Sequence, residues 1–367
     1  MYDSERAAKP ERLFFIDNLR IVLTILVVVH HQAIFYATNA PLILFLMFNQ
    51  AYFMGLFFFL SGLFTPSSYD RKGLWGFLKD RLMRLGIPIL IYVLFLSPIA
   101  KICMSLFQQT NTIGQILSSF SWSQYFGMLG IGQLWFLVML LFFDVCYLLW
   151  RLATSKKQEK IPSERSAPKI RAICLFIVAL AILTYLTRII VPINTWVLFF
   201  PSFAYLPQYI TFFIIGTIAY QRDWLRLLPD KLGKTALIAT IVGTFTLFIV
   251  AMNQIIGTGG GFIGNGHWQS GVYALWDSLF AVGLCLFLII FFRRRLDRQK
   301  NFGRSLQKCC FTVFIIHSII IVIAATILRD LQVIPLLKFL LAGCISVPLS
   351  FAAAWFIRKI PYANRIL

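Results

Sequence analysis

The first residues that could do chemistry lie in one apolar segment near the N-terminus. Asp17, Arg20 and His31 follow a helical spacing, with Arg20 and His31 eleven positions apart. Three turns of α-helix put these two side chains on one face, about 16 Å apart along the axis, and Asp17 lies on the same side. The imidazole could act as a general base. The alternative is a structural ion pair with hydrogen-bonded histidines at a helix interface, and spacing alone leaves both readings open.

A second candidate site is cationic. Arg81 and Arg84 form an Arg-x-x-Arg pair at the start of a later apolar segment, with Lys79 beside them. A spacing of three keeps both guanidinium groups on one side of a helix, where they could make bidentate contacts with phosphate. The alternative is a cationic flank that only orients the segment in a membrane.

Other polar residues stand alone in apolar surroundings. His317 is a lone histidine whose ordinary role would be an interhelical hydrogen bond. Trp135 and Trp268 suit either an interfacial aromatic belt or a platform for a substrate. Asp144 and Asp277 need partners that the sequence does not name, because a charge inside lipid is costly unless it is paired.

The segments that carry these residues are those of a membrane protein. Of 367 residues, 59% are hydrophobic and only 13% are charged, whereas a soluble domain carries roughly a quarter charged residues. The sequence therefore predicts an all-α polytopic membrane protein with about ten transmembrane helices of about 20 residues each. Pro201 and Pro207 interrupt the start of the sixth. The ten predicted segments are 14–37, 42–65, 85–107, 132–150, 172–193, 203–221, 236–257, 271–292, 309–328 and 333–357.

The net charge of +20 follows the alternation of these segments. Of the 34 lysines and arginines, 29 fall in the terminal tails and in every second loop, and the remaining loops contain only Arg329. This positive-inside pattern predicts that both termini are cytoplasmic, and it accounts for the charge without a nucleic-acid partner. The predicted organisation is a cytoplasmic tail over 1–12, a transmembrane domain over 13–358 and a cytoplasmic tail over 359–367.

The exceptions to that pattern are more informative than the pattern itself. Arg188, Arg329 and Lys338 lie near segment ends and are expected to extend to the membrane interface. Lys101 lies in the outer half of the third segment, and Arg20 lies within the first. All seven cysteines fall in segments or at their cytoplasmic ends, so no disulfide framework is expected. No metal-ligand cluster or phosphate-binding loop is present in the sequence, and no metal is expected.

Seven blocks, in their order and spacing, together resemble the acyltransferase-3 family of membrane acyltransferases. The likeness is greatest to its glucans biosynthesis protein C-like branch. The first block pairs Arg20 with His31, similar to the family's Arg, ten residues, His signature. The others include the Ser-Gly block around Ser61, the Arg-x-x-Arg block, a Leu-Trp-Phe block and the block that ends at His317. The blocks are 15–31, 57–64, 81–88, 134–137, 208–220, 268–276 and 311–317.

The resemblance implies an O-acyltransferase of the EC 2.3.1 type in the bacterial cytoplasmic membrane. Such an enzyme would move an acetyl or succinyl group from cytoplasmic acetyl-CoA or succinyl-CoA to a hydroxyl of an extracytoplasmic glycan or lipid-linked sugar. The implied process is O-acetylation or a similar modification of cell-envelope polysaccharide. Acyl-CoA, a carbohydrate acceptor and the lipid bilayer are the expected partners, and a homodimer is left open.

The resemblance also implies roles for particular residues. His31 would be the general base or would carry the acyl group transiently, and Asp17 and Arg20 would orient each other near the coenzyme. The residues expected to bind the CoA phosphates are Arg81, Arg84 and Lys79. The residues expected to line the reaction chamber are Ser61, Trp135, His317 and Trp268.

This sequence departs from the family pattern in two places. Many relatives carry a carboxylate directly after the Leu-Trp-Phe block, where this chain has Val138 and Met139; its nearest acid is Asp144. Phe314 and Ser318 stand where relatives have a tyrosine and a proline around the late histidine. No role for a carboxylate of this segment is therefore carried over.

Two other classes of protein remain open at this point. A non-enzymatic transporter or flippase of a glycan or lipid precursor would also suit ten spans with intramembrane charges, but paired broken helices in two matching halves are not seen. A structural membrane subunit is the third reading. The glycine-rich loop 257–270 could contact an acceptor or could be a flexible connector.

Overall fold

The computed structural model describes residues 13–110, 112–118, 121–154, 166–201, 203–252 and 260–366, with nothing stated for the side chains of 117, 364 and 365. These residues are helical or in turns and short loops. Within these ranges no β-strand is present, and a single β-bridge joins Val197 to Phe200. The all-α prediction is confirmed for this part of the chain.

The helices are numbered in chain order. They are α1 Phe14–Ile34, α2 Ala40–Arg81, α3 Ile87–Ile91, α4 Ser97–Phe107, α5 Ile113–Ser118, α6 Trp122–Met128, α7 Trp135–Thr154, α8 Ile170–Ile190, α9 Leu206–Gln221, α10 Trp224–Leu227, α11 Asp230–Gly243, α12 Ile249–Met252, α13 Trp268–Arg295, α14 Asn301–Ile327, α15 Pro335–Ile357 and α16 Ala363–Ile366. Three π-helical turns interrupt them, at Leu82–Gly86, Tyr92–Leu96 and Thr244–Phe248.

Nine helical stretches in the described ranges are long and apolar enough to cross a membrane. The longest, Ala40–Phe107, has 68 residues, or about 100 Å at 1.5 Å per residue, against a hydrocarbon core of about 30 Å. Gly73 breaks it, with φ 66° and ψ −177°. The parts before and after this break contain the predicted segments 42–65 and 85–107. The chain is therefore a multi-pass membrane protein, while the count of ten and the orientation of the termini stay predictions.

The closest helix contact joins α2 to α9 through two glycines. A Cβ atom added at Gly62 would lie 2.1 Å from the carbonyl oxygen of Phe213, and one at Gly216 would lie 2.2 Å from that of Phe59. Small residues let membrane helices approach backbone to backbone, because van der Waals packing drives their association in lipid. The reciprocal glycines therefore set the position of α2.

The start of α1 is anchored by the segment between α13 and α14. The backbone N–H of Phe15 donates to Asp297 Oδ1 at 3.0 Å, so a side chain satisfies one of the free donors of the first helical turn. The amide nitrogen of Asn18 donates to the carbonyl oxygens of Leu296 at 2.7 Å and Arg298 at 3.0 Å. These bonds fix the rotation and height of the helix that carries Asp17, Arg20 and His31.

Pro207, near the start of the sixth predicted segment, lies in the first turn of a helix and does not interrupt one. A 3₁₀ turn, Phe203–Tyr205, leads directly into α9, and Pro207 occupies the first turn of that helix. Proline is favoured there because its missing N–H would be unpaired in any case. The expectation that Pro207 interrupts this span is therefore wrong.

Candidate functional site

Two of the four histidines meet inside the bundle. The ring of His31, on α1, lies 5.0 Å from the ring of His317, on α14, measured between centroids. His31 is half-buried and His317 is fully buried. The sequence treated these residues as separate features, and the packing of α1 beside α14 places them in one site.

The hydrogen bonds of the two rings define which nitrogen carries the proton. His31 Nδ1 lies 2.9 Å from the carbonyl oxygen of Val27, and His317 Nδ1 lies 2.8 Å from that of Phe314. A carbonyl oxygen only accepts, so each Nδ1 must donate its N–H. In the neutral rings Nε2 then keeps a lone pair, which is the form a general base requires. His317 Nε2 is buried and has no hydrogen-bond partner within the described residues.

His30 belongs to a different environment. Its ring packs against Phe53 at 4.8 Å and meets His31 edge-on at 5.4 Å. The side chains of His30 and His31 therefore point in different directions, because successive residues of an α-helix are rotated by about 100°. His30 contributes to packing between α1 and α2.

A hydrogen-bonded group that the sequence did not indicate includes Ser318, the residue after His317. The hydroxyl of Tyr92 donates to Gln133 Oε1 at 3.1 Å and lies 3.4 Å from the hydroxyl of Ser318. Gly132 has φ 45°, and a Cβ atom there would lie 2.5 Å from the Tyr92 hydroxyl oxygen. The available signal was the Gly-Gln pair directly before the Leu-Trp-Phe block. The group brings a tyrosine from another helix to the late histidine block.

Arg20 and Asp17 lie on α1 several turns before the histidine pair. The guanidinium group of Arg20 stacks over the ring of Phe64, on α2, at 4.5 Å, and Arg20 is half-buried. Asp17 is buried one turn earlier. Arg20 therefore lies where α1 contacts α2. The ring on which it stacks, Phe64, belongs to the Ser-Gly block.

The Arg-x-x-Arg pair does not form one open fork. Arg81 Nε lies 3.1 Å from Asp144 Oδ2, a buried carboxylate on α7, whereas Arg84 Nε lies 3.1 Å from Asp80 Oδ1 near the surface. A π-helical turn begins at Leu82. A π-helical turn contains more residues than an α-helical one, because its hydrogen bonds join residues five apart. Two side chains three residues apart therefore diverge more than they do in an α-helix. The two guanidinium groups therefore have different carboxylate partners, and their joint contact with phosphate stays a prediction.

Asp144 has a second partner, Thr65, which directly follows the Ser-Gly block. The hydroxyl oxygen of Thr65 lies 3.0 Å from both Asp144 Oδ1 and the carbonyl oxygen of Ser61, so these two acceptors share its single proton. The hydroxyl of Ser61 donates to the carbonyl oxygen of Phe57 at 2.8 Å. Ser61 therefore lies one turn from the contact between Thr65 and Asp144, and its hydroxyl is engaged by its own helix.

Lys79 and the two tryptophans lie in three different places. Lys79 is exposed at the edge of an open apolar groove that Trp75 and Leu82 also line. Trp135 is buried and packs against Tyr209 at 5.5 Å, and the hydroxyl of Tyr209 accepts a bond from Gln50 at 3.3 Å. Trp268 is 55% exposed at the first residue of α13, outside the buried bundle. Of the candidate loop 257–270, only the part from 260 onward lies within the described residues.

Arg188 was expected at the membrane interface and is instead fully buried. Its guanidinium group donates to Asp277 Oδ2, on α13, at 2.6 Å. The group also stacks over Tyr205 at 4.8 Å and over Tyr273 at 5.3 Å. The carboxylate and the two aromatic faces stabilise the charge inside the bundle, so the side chain has no need to reach water. The sequence prediction for Arg188 is wrong.

The part of the chain that the structure describes contains no group of three or more His, Cys, Asp or Glu residues that could hold a metal ion. The histidine pair has the groups that acid–base chemistry requires.

This fold and site define a polytopic membrane protein with its polar chemistry inside the helix bundle. A family model described as an acyltransferase domain matches residues 13–355, and the chain belongs to that family, the acyltransferase-3 family. It is similar to the glucans biosynthesis protein C of Salmonella schwarzengrund strain CVM19633 and of Salmonella typhi. Each is 26% identical over 224 residues. These matches cover 57% of this chain and 58% of the relatives' length. No solved structure matches this chain.

Proposed function

We propose that this protein is a membrane O-acyltransferase. It moves an acetyl or succinyl group from cytoplasmic acyl-CoA to a hydroxyl of an extracytoplasmic glycan or lipid-linked sugar, across the bacterial cytoplasmic membrane. The observation that carries the proposal is the pair of His31 and His317, whose Nδ1 protons are both committed to carbonyl oxygens. Family membership supports acyl transfer, and the name of the relatives supports a glucan as the acceptor.

The histidine pair supplies a proton acceptor where a hydroxyl must become a nucleophile. The acceptor oxygen attacks the thioester carbonyl carbon while His31 Nε2 takes the hydroxyl proton, and the carbon–sulfur bond then breaks. The proton passes from the imidazolium to the departing thiolate, so coenzyme A leaves as the thiol. In the alternative route His31 Nε2 itself attacks the thioester carbon, and the carbon–sulfur bond breaks to leave an acyl-imidazolium and the thiolate. The acceptor hydroxyl then takes the acyl group from Nε2, and the proton it loses neutralises the thiolate, so coenzyme A again leaves as the thiol.

The phosphates of the acyl-CoA donor bind to the two arginines and the lysine that precede α3. Arg84 and Lys79 are exposed, and Arg81 is half-buried beside them. The guanidinium groups suit phosphate oxygens, which they contact through two parallel bonds. Arg20 lies on the same helix as His31, about 16 Å before it. The long pantetheine arm would connect the phosphates to the histidine pair.

Substitution of His31 tests this proposal. We expect His31→Asn to reduce acyl transfer by about a hundredfold or more, the typical contribution of a positioned general base. Release of thiol from acetyl-CoA and from succinyl-CoA, with a glucan as acceptor, measures the rate. Thermal unfolding of the purified full-length protein in detergent shows whether the variant remains folded.

His30→Phe is the matched control, because its ring faces Phe53 and can be replaced by another ring. This variant is expected to retain transfer. Transfer by His31→Asn at more than a tenth of the rate of the unchanged protein would remove His31 from the mechanism.

A further inference from the structure

We propose that Asp144 competes with the donor phosphates for Arg81. In this structure the carboxylate occupies the position at Arg81 that a phosphate oxygen takes when acyl-CoA binds. Binding of the donor therefore requires Arg81 to leave Asp144, and Asp144 sets the affinity of the site. The inference rests on the proposed function, because it takes acyl-CoA as the anion.

The contact between Arg81 and Asp144 is close but poorly aligned. Arg81 Nε lies 3.1 Å from Asp144 Oδ2, yet neither atom has a hydrogen-bond partner within the described residues. The strong form of this interaction is a charge-assisted hydrogen bond, usually with two parallel N–H···O contacts. The pair lacks that geometry, so Arg81 has better bonds to gain from a phosphate.

The two members of the pair differ in their access to solvent. The side chain of Arg81 is 18% exposed and stacks over Phe77, whereas that of Asp144 is 1% exposed. Arg81 Nε is itself buried, so an anion reaches the guanidinium group only when the side chain turns towards solvent, whereas the carboxylate stays enclosed. Arg81 is the member that can turn, because Asp144 lies on α7 and is already within the bundle.

Thr65 keeps Asp144 in place when Arg81 leaves. Its hydroxyl donates to Asp144 Oδ1 at 3.0 Å, on the side away from Arg81. A buried carboxylate that loses its counter-charge is destabilised, and this hydrogen bond limits the loss. The Thr65 bond thus lowers the free energy that donor binding must supply.

The neighbouring charges form a second, exposed pair of the same kind. Asp80 bridges Arg84 at 3.1 Å and Lys72 at 2.7 Å. The side chain of Arg84 is 61% exposed, so this bridge is screened and weak. The pair with Asp144 is the buried one, and it is therefore the one that controls affinity for an anion.

Coenzyme A binding to the purified full-length protein tests the competition. We expect Asp144→Asn to bind coenzyme A about tenfold more tightly, because the neutral amide releases Arg81. Arg81→Gln should bind about tenfold more weakly. Adding Asp144→Asn to Arg81→Gln should give no gain. Pantetheine, which lacks phosphates, should bind all of these proteins equally. Calorimetry measures each affinity.

Asp70→Asn is the matched control. It makes the same change in charge next to a basic residue, since Asp70 pairs with Arg151 at 2.8 Å, but it does not release Arg81. Its affinity for coenzyme A should stay within about twofold of that of the unchanged protein. An equal gain for Asp70→Asn and Asp144→Asn would mean that net charge alone raises affinity, and would overturn the inference.

Thr65→Val provides a second, independent variant. Without the hydroxyl bond, release of Asp144 costs more, so coenzyme A should bind about threefold more weakly. If the unchanged protein binds coenzyme A while Asp144→Asn gains no affinity and Thr65→Val loses none, Arg81 stays paired with Asp144 when the donor binds, and only this inference is refuted. Failure of the unchanged protein to bind coenzyme A or to release thiol from acyl-CoA would instead refute the proposed function.

Discussion

Two of the Arg–Asp pairs that join helices within the described residues differ in how completely they are enclosed. Arg188 and Asp277 form a 2.6 Å hydrogen bond with side chains 0% and 4% exposed, and two tyrosine rings cover the guanidinium group. Arg81 and Asp144 approach only to 3.1 Å without hydrogen-bond geometry, and Arg81 is partly exposed. The sequence showed Asp144 and Asp277 only as acids that need partners, and it did not name Arg81 or Arg188 as those partners.

The difference separates a structural pair from an exchangeable one. A fully enclosed pair cannot release either member without leaving a buried charge, so it resists change. A pair with one member near solvent can exchange its partner at a smaller cost. The enclosed pair stabilises the contact between α8 and α13, and the partly open pair lies beside the basic residues proposed to bind the donor.

The largest expected effect follows from breaking the enclosed pair. We expect Arg188→Ala to lower the free energy of unfolding by about 3–5 kcal/mol, because Asp277 would stay buried without its counter-charge. Thermal unfolding in detergent, followed by loss of helical circular dichroism, measures the change. Replacing both residues by leucine should recover most of the loss. A variant Arg188→Ala as stable as the unchanged protein would show that the pair is not enclosed as described.

The aromatic contacts of the two arginines give the next comparison. Arg188 over Tyr205 and Arg81 over Phe77 have the same separation of 4.8 Å. Both rings are buried, and the side chain of Arg188 is 0% exposed against 18% for that of Arg81. A desolvated cation–π contact contributes about 2 kcal/mol and an exposed one about 0.5–1 kcal/mol. Double-mutant cycles should therefore give the larger coupling energy for Arg188 with Tyr205. Equal coupling energies would argue against the difference in enclosure.

The smallest expected effect concerns stability at the partly open pair. Asp144→Asn should lower the free energy of unfolding by about 1 kcal/mol or less, because Arg81 can turn towards water and the asparagine can still accept the Thr65 bond. The same unfolding measurement compares it with Asp277→Asn, which should be the more damaging change. The reverse order of the two asparagine variants would contradict the assignment of the exchangeable pair.

Part of this picture could be read from the sequence because it depends on local properties. Apolar segments long enough to span a bilayer predicted the membrane class, and nine of the described helical stretches meet that criterion. The breaks were harder to predict. The expected gap between 65 and 85 is filled by helix apart from Gly73, since nothing in the composition distinguishes a helical connection from a loop there.

The candidate site was predictable in its members and not in its contacts. His31, His317 and Arg81 were identified from their types and positions, and Asp144 was recognised only as an acid that needs a partner. Tyr92 was missed altogether, because one tyrosine in an apolar helix carries no distinguishing pattern. Its role appears only when α14 places Ser318 within 3.4 Å of its hydroxyl.

The sequence by itself determined the helices and the placement of Arg20 and His31 on one helix, because helical periodicity acts between near neighbours in the chain. The tertiary structure decided the partners. It placed His31 beside His317, paired Arg81 with Asp144, and joined Arg188 to Asp277 across 89 positions. These choices depend on how helix surfaces fit, as at Gly62 and Gly216, and that fit is a property of the whole bundle that no single segment encodes.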